Sequence, residues 1–221
     1  METHAPRGQK GEAALDLVAV AEEHAQMMVI GNKAMTGVRR LLGSLPNRVS
    51  HQAGCGVLIV PTQSGSLPQF DGRGIVVGTD GSSRATHAVE EAIRLAKALD
   101  GDLHVVSASE SLGSSESAVA AAAAEAADQD VNAITHALQD DPVDALLDVA
   151  EKNDAAIIVV GSKGMHAGER ERFGNVPNKI SHKGTFSVLI VFTGDASESD
   201  GDVTHGIAAG DAASSAGEAT T

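Results

Sequence analysis

The sequence predicts an α/β fold built on a doubly wound parallel sheet. Three observations predict it. Short apolar runs alternate with longer helix-forming stretches from residue 75 to residue 192. These runs are rich in Val and Ile and lack polar alternation, as strands are when helices cover both sheet faces. Part of the same pattern occurs a second time, because residues 1–62 repeat the back half of the segment 73–193.

In the first copy, residues 12–24 read as a helix with Leu15, Leu17, Val18 and Ala21 as its apolar set. Residues 26–30 are a buried strand, 43–53 a second helix and 56–61 a second strand. Gly, Ser and Pro mark residues 63–72 as a linker. In the second copy Ile75–Thr79 is the first strand. Ser82 or Ser83 caps a helix over 84–99, and Gly101 ends it. Leu103–Ala108 is the second strand, and the alanine run Ala118–Ala127 is helical by propensity. Val131–Ala137 is the third strand, and Val143–Lys152 is a helix with Pro142 in its first turn. Ala156–Val160 is the fourth strand, Asn175–Lys183 opens the last helix and Ser187–Phe192 is the last strand. Such alternation gives a parallel sheet wrapped on both sides.

The repeat sets the domain organisation. Met28-Val29-Ile30-Gly31 matches Ile158-Val159-Val160-Gly161, and Pro46-Asn47-Arg48-Val49-Ser50-His51 matches Pro177-Asn178-Lys179-Ile180-Ser181-His182. Val57–Val60 likewise matches Val188–Val191. The offset grows from 130 to 131 residues across the glycine loop, so the first copy is one residue shorter there. Thr3-His4-Ala5 aligns with Thr135-His136-Ala137, inside a strand, so the first copy starts without its front half. Either the reading frame extends upstream of Met1 or the protein is one and a half domains. Missing ladder partners favour the former. The division is a partial domain at 1–62, a linker at 63–72, a complete domain at 73–193 and a tail at 194–221. The tail holds six acidic residues and no Lys or Arg, and is expected to be disordered.

The 221 residues carry a formal charge of −14, which argues against nucleic acid or an anionic membrane as partner. With no Trp or Tyr, packing rests on Val, Ile, Leu and Ala. The single cysteine, Cys55, excludes an internal disulfide, fits a reducing compartment and reads as a packing residue. No apolar run is long enough to span a bilayer and no signal core opens the chain, so the cytoplasm is the expected location. The nine histidines are scattered without HxxxH or CxxC spacing and read as solvent-exposed or helix-end residues rather than metal ligands.

Two places carry chemistry. Asp80 follows the first strand and precedes Gly81-Ser82-Ser83. A carboxylate at the carboxyl end of a strand, near the switch point of a doubly wound sheet, can accept bonds from ribose hydroxyls, or it can simply cap the next helix. The second place is Gly161-x-x-Gly164, nine residues, then Gly174-Asn175 at a helix start. Glycines admit an anion close to the backbone, and a helix start offers unpaired amides and a positive dipole end. Lys163 can add a point charge.

Together these features resemble the universal stress protein family, whose nucleotide-binding members carry an aspartate after the first strand and G-x2-G-x9-G-[S/T] before the last helix. The resemblance implies a five-stranded parallel sheet of order 3-2-1-4-5, like that of the adenine-nucleotide α-hydrolases. It implies ATP, with Mg2+, across the ends of the first and fourth strands. Adenine would meet main chain near Ala108 and ribose would meet Asp80. The phosphates would meet Gly161, Lys163, Gly164, Gly174 and Asn175. The chain departs from the pattern at Asn175 and Pro177, and Glu169-Arg170-Glu171-Arg172 sets two carboxylates in the loop. The first copy, with Gly31, Ala34 and Gly43-Ser44 but no first-strand aspartate, cannot form a full site. Members of the family pair through their last strands. Val57–Val60 and Val188–Val191 suit such pairing, within one chain as a pseudo-dimer or between chains as a homo-oligomer.

The leading expectation is an adenine-nucleotide-binding stress-response module. No general base stands out, and no Walker lysine-serine pair is present, so any ATP hydrolysis is slow and no catalytic residue is assigned. The competing expectation is an interaction protein of the same fold that binds no nucleotide. A third is an enzyme such as an ATP pyrophosphatase or a ligase, which needs an acceptor site that the sequence does not offer.

Overall fold

The Val- and Ile-rich runs form strands because branched side chains pack well on a pleated surface and lose little freedom there. They are unalternated because helices cover both faces. The computed structural model describes residues 16–19, 21, 27–32, 49, 53–62, 69–162, 176, 177, 179, 180 and 186–193. The strand at Thr3–Ala5, most of the helix at 43–53, the linker residues 63–68 and the tail at 194–221 lie outside them.

Two strands come from the first copy, β1 (Met27–Asn32) and β2 (Gly56–Pro61). The second copy supplies β3 (Ile75–Gly78), α1 (Ser83–Leu99), β4 (Leu103–Ala108), α2 (Leu112–Asp128) and β5 (Ala133–Leu138). It continues with α3 (Pro142–Lys152), β6 (Ile157–Gly161) and β7 (Ser187–Val191). They form one seven-stranded sheet in the order β1-β2-β7-β6-β3-β4-β5. Read from β5 to β7, the second copy has the expected order 3-2-1-4-5, all parallel. The strand count differs from the expected five, because β2 joins β7 antiparallel and brings β1 with it.

Alternate side chains serve two cores. Ile75, Val77, Leu103, Val105, Ile157, Val159 and Leu189 point to the face covered by α1 and α2, against Ala88, Val89, Ala92, Ile93, Ala122 and Ala126. Val76, Val106, Ile158, Val160, Val188 and Ile190 point to the other face, against Val143, Leu146 and Val149 of α3. Val18, Val49 and Ile180 are buried on that same face, and Cys55 packs partly buried against it. Each Val, Leu or Ile removed from water contributes about 1.5–3 kcal/mol, which lets a chain with so few aromatics hold its core.

The helix ends are specified locally. Ser82 is the N-cap of α1, its Oγ accepting from Ala85 N at 3.2 Å. Asp141 caps α3, its Oδ1 accepting from Val143 N at 2.9 Å, and Pro142 sits where no amide hydrogen is needed. The end of α1 differs from expectation. Asp100, at φ 51°, is the left-handed residue, and Gly101 comes after it. Gly101 is required for another reason, because a Cβ there would overlap the carbonyl oxygen of Arg73. Helix α2 begins at Leu112, six residues before the alanine run, because Ser111 caps it through Ser114 N. No described helix is long and apolar enough to cross a membrane.

Candidate functional site

In a parallel sheet all strands deliver their carboxyl ends to one edge, and the chain leaves β3 towards β4 on one side while β6 lies on the other. The register fixes which residues meet there. Gly78 pairs with Val106, so two residues further on Asp80 lies level with Ala108. Val77 pairs with Val159, so Thr79 lies level with Gly161. Three of the expected site residues, Asp80, Ala108 and Gly161, are thus brought to one end of three neighbouring strands.

The Asp80 turn is tightly built. Asp80 Oδ1 accepts from Ser82 N at 3.0 Å and from Ser82 Oγ at 2.6 Å. Thr79 Oγ1 accepts from Gly81 N at 3.1 Å. Gly81 has φ +77°, and a Cβ there would lie 3.3 Å from Ala118 Cβ. The positive φ and the closeness of α2 both select glycine. Asp80 itself stays exposed. At the switch point Oδ1 of its carboxylate holds the start of α1. Both sequence readings of Asp80 are compatible with this geometry, since an ionised carboxylate can accept several hydrogen bonds.

Ala108 is held by hydroxyls that the sequence did not reveal. Ser109 N donates to Leu138 O at 3.3 Å, and Ser109 Oγ lies 3.0 Å from Ser115 Oγ. Ser115 is fully buried and donates to Leu138 O at 3.1 Å. The network locks the ends of β4 and β5 to the first turn of α2. A serine just ahead of an alanine run gives no signal of burial on its own.

Gly161 ends β6, and the residue after it is also fastened. Ser162 N donates to Val191 O at 2.8 Å. Ser162 Oγ accepts from Thr193 N at 3.2 Å and lies 3.0 Å from Thr193 Oγ1, with both side chains buried. The glycine loop therefore departs from a fixed point. Lys163, Gly164, Gly174 and Asn175 lie outside the described residues. Val176 and Pro177, just beyond, are helical, and Pro177 is buried.

Away from this end, His104 on β4 is buried, which corrects the reading of the histidines as exposed or helix-end residues. His104 Nδ1 lies 3.1 Å from Nε2 of the half-buried His136 on β5, and their rings stack with centroids 5.4 Å apart. Burial lowers the His104 pKa, which the Asp102 carboxylate opposes. Burial first and then the charge of His104 lower that of His136. Among the described residues no three His, Cys, Asp or Glu side chains group closely enough to hold a metal ion.

A model of the universal stress protein family matches residues 2–61 and 73–191. Among solved structures, the chain is similar to a universal stress protein from Archaeoglobus fulgidus DSM 4304, at 21% identity and TM-score 0.65 over 82% of this chain and 66% of that one. It is also similar to a functionally unknown protein from Pseudomonas aeruginosa PAO1, at 20% identity and TM-score 0.58 over 81% of this chain and 67% of that one. This chain thus spans about two thirds of the length of each. Another, the universal stress protein from Archaeoglobus fulgidus in complex with dAMP, is 22% identical with TM-score 0.46 over 54% of this chain and 97% of that one. The first two likenesses are of fold, and the third is too loose to carry an argument about the ligand of this chain.

Proposed function

This chain belongs to the universal stress protein family, and from that premise we propose that it is a regulatory module that binds an adenine nucleotide across the carboxyl ends of β3, β4 and β6. The observation that carries the reading is the meeting of Asp80, Ala108 and Gly161 at the switch point. Asp80 offers a carboxylate where a ribose would present two hydroxyls. Backbone at Ala108, held in place through Ser109 and Ser115, offers donors and acceptors for an adenine edge. Gly161 opens the loop in which Gly164, Gly174 and Asn175 would hold the phosphates, with Lys163 adding charge. ATP with Mg2+ is the ligand we assign. Hydrolysis is slow at most, since no general base is assigned. The nucleotide acts by changing the shape or partners of the module. We assign this site to a complete domain at 73–193, with 1–62 as the back half of a second.

Calorimetric titration of ATP with Mg2+ into the full chain tests this. Saturable binding at one site per chain is the expected result. No heat and no thermal stabilisation at millimolar ATP overturn it. A second reading, a protein-interaction module without nucleotide, is favoured by one observation: Asp80 Oδ1 is occupied by Ser82. That reading predicts no nucleotide binding and a change of oligomeric state on deletion of residues 1–62.

A further inference from the structure

The carboxylate of an exposed turn residue rotates easily unless something holds it. Asp80 is exposed, yet its Oδ1 is held by two different atoms of one residue. Ser82 N donates to it at 3.0 Å and Ser82 Oγ at 2.6 Å. The second distance is that of a hydroxyl donating to an ionised carboxylate. Two donors on one oxygen arrest rotation about the side-chain bonds of Asp80. The carboxylate is rigid, so its second oxygen is placed as well.

The amide bond is the one an aspartate makes in any such turn. The hydroxyl bond is additional, and the start of α1 does not need it. A capping hydroxyl serves as an acceptor, and Ser82 Oγ accepts from Ala85 N at 3.2 Å. The Ser82 carbonyl accepts from Ala85 N at 3.0 Å and from Thr86 N at 3.3 Å. None of these contacts uses the hydroxyl proton. That proton goes to Asp80, and the bond from Ala85 strengthens its donation, because hydrogen bonds in a chain polarise one another. Asp and Gly also cap helices well, but neither can donate from its side chain at neutral pH. Ser83, the other cap read from the sequence, is exposed and makes none of these contacts.

We propose that Ser82 is a positioning residue for nucleotide binding, its hydroxyl proton fixing the Asp80 carboxylate in the orientation that meets the ribose hydroxyls. This assignment rests on the nucleotide reading proposed above. Ser82 acts through Asp80 and not on the ligand. An ionised carboxylate accepts several bonds, so the bond from Ser82 does not bar one from a ribose. Rotational freedom given up before the nucleotide arrives is not lost again on binding, and that preorganisation raises affinity. Ribose presents two hydroxyls to the carboxylate and 2′-deoxyribose one, so correct orientation matters more for the ribonucleotide.

The test is calorimetric titration of ATP and of 2′-deoxy-ATP, each with Mg2+, into the full chain and into Ser82→Gly, Ser82→Thr and Ser83→Ala. Glycine removes the hydroxyl, keeps the backbone donor and costs a helix cap little. The parent is expected to prefer ATP. Ser82→Gly should bind ATP roughly 2–10-fold more weakly and lose less for 2′-deoxy-ATP, so that the preference shrinks. A purely structural loss at the start of α1 would weaken both nucleotides alike. Ser82→Thr keeps the hydroxyl and should keep the preference, while Ser83→Ala should leave both affinities unchanged. Thermal midpoints without ligand check that each variant is folded. An unaltered preference in Ser82→Gly overturns the proposal and leaves the nucleotide reading standing. So does a Ser82→Thr variant with the parent's midpoint and the preference of Ser82→Gly. Equal affinity of the parent for the two nucleotides overturns it together with the ribose contact. No binding of ATP by the parent overturns the nucleotide reading and this proposal with it.

Discussion

Replacing Asp80 with alanine separates its two roles, because each carries a different magnitude. In the fold, Asp80 Oδ1 accepts two bonds from Ser82 within an exposed turn. Bonds of this kind contribute about 0.5–1.5 kcal/mol each when formed in the interior, and less where water competes. The loss is about 1 kcal/mol, a fall in thermal midpoint of about 2–4 °C for a chain of this size. Ser82 Oγ still caps α1 through Ala85 N, so the helix start survives. In binding, a carboxylate accepting from ribose hydroxyls contributes about 1.5–3 kcal/mol, which corresponds to roughly 10–150-fold in affinity. The assay is calorimetric titration of ATP with Mg2+ into both proteins, with thermal melts of each without ligand. The expected outcome is a small melt shift and a large affinity loss. A large melt shift with unchanged affinity would refute the ribose contact and leave Asp80 as a turn residue. Asp80→Asn sharpens the result. An amide oxygen can still accept from Ser82, while the charge that favours a ribose hydroxyl is gone.

Three further outcomes are expected. Gly101→Ala forces a Cβ into the Arg73 carbonyl oxygen and to 3.1 Å from Ile75 Cδ1, and should cost about 1–3 kcal/mol by denaturant titration; an unchanged midpoint would mean that the α1–β4 turn relaxes freely. Ser115→Ala removes the buried hydroxyl that Leu138 O and Ser109 use, and should cost about 1–3 kcal/mol and weaken nucleotide binding, which thermal melts with and without ATP would separate. The His104–His136 pair should make stability fall on acidification. Both pKa values are lowered on folding, so the unfolded chain binds more protons. Their contribution is whole above about pH 6.5 and is lost as the pH falls towards the lowered folded values. Glu125, raised by burial and then by Glu90, acts in the opposite sense. Comparing thermal midpoints of the parent and His136→Gln from pH 7.5 downward isolates the pair, and parallel curves would contradict the assignment.

Features were legible in the sequence where their determinants are local. Most described strand positions, the Ser82 cap and Pro142 in the first turn of α3 are each specified within a few residues and stand where expected, although β5 begins at Ala133, two residues later than read. Asp80, Ala108 and Gly161 reach one edge because parallel strands leave no other choice. The misreadings arise where the deciding partner is distant in the chain. Gly101 looks like a helix stop, yet its constraint is the Arg73 carbonyl, and Asp100 makes the left-handed turn. His104 looks like one scattered histidine, yet β4 carries it inward to meet His136, 32 residues further on. Ser115 and Ser162 are plain serines until Leu138 and Thr193 are brought beside them.

The antiparallel joint between β2 and β7 has a consequence for function as well as for form. A last strand such as β7 has one partner, β6, and one open edge. Joining β2 to that edge antiparallel closes it without using any group at the carboxyl ends of β3, β4 or β6. The antiparallel pairing of Leu58 with Leu189 sends the strand directions of the two copies opposite ways, so the carboxyl end of β1 points away from that of β6. A nucleotide at Asp80 and any ligand near Gly31 would therefore sit at opposite ends of one continuous sheet.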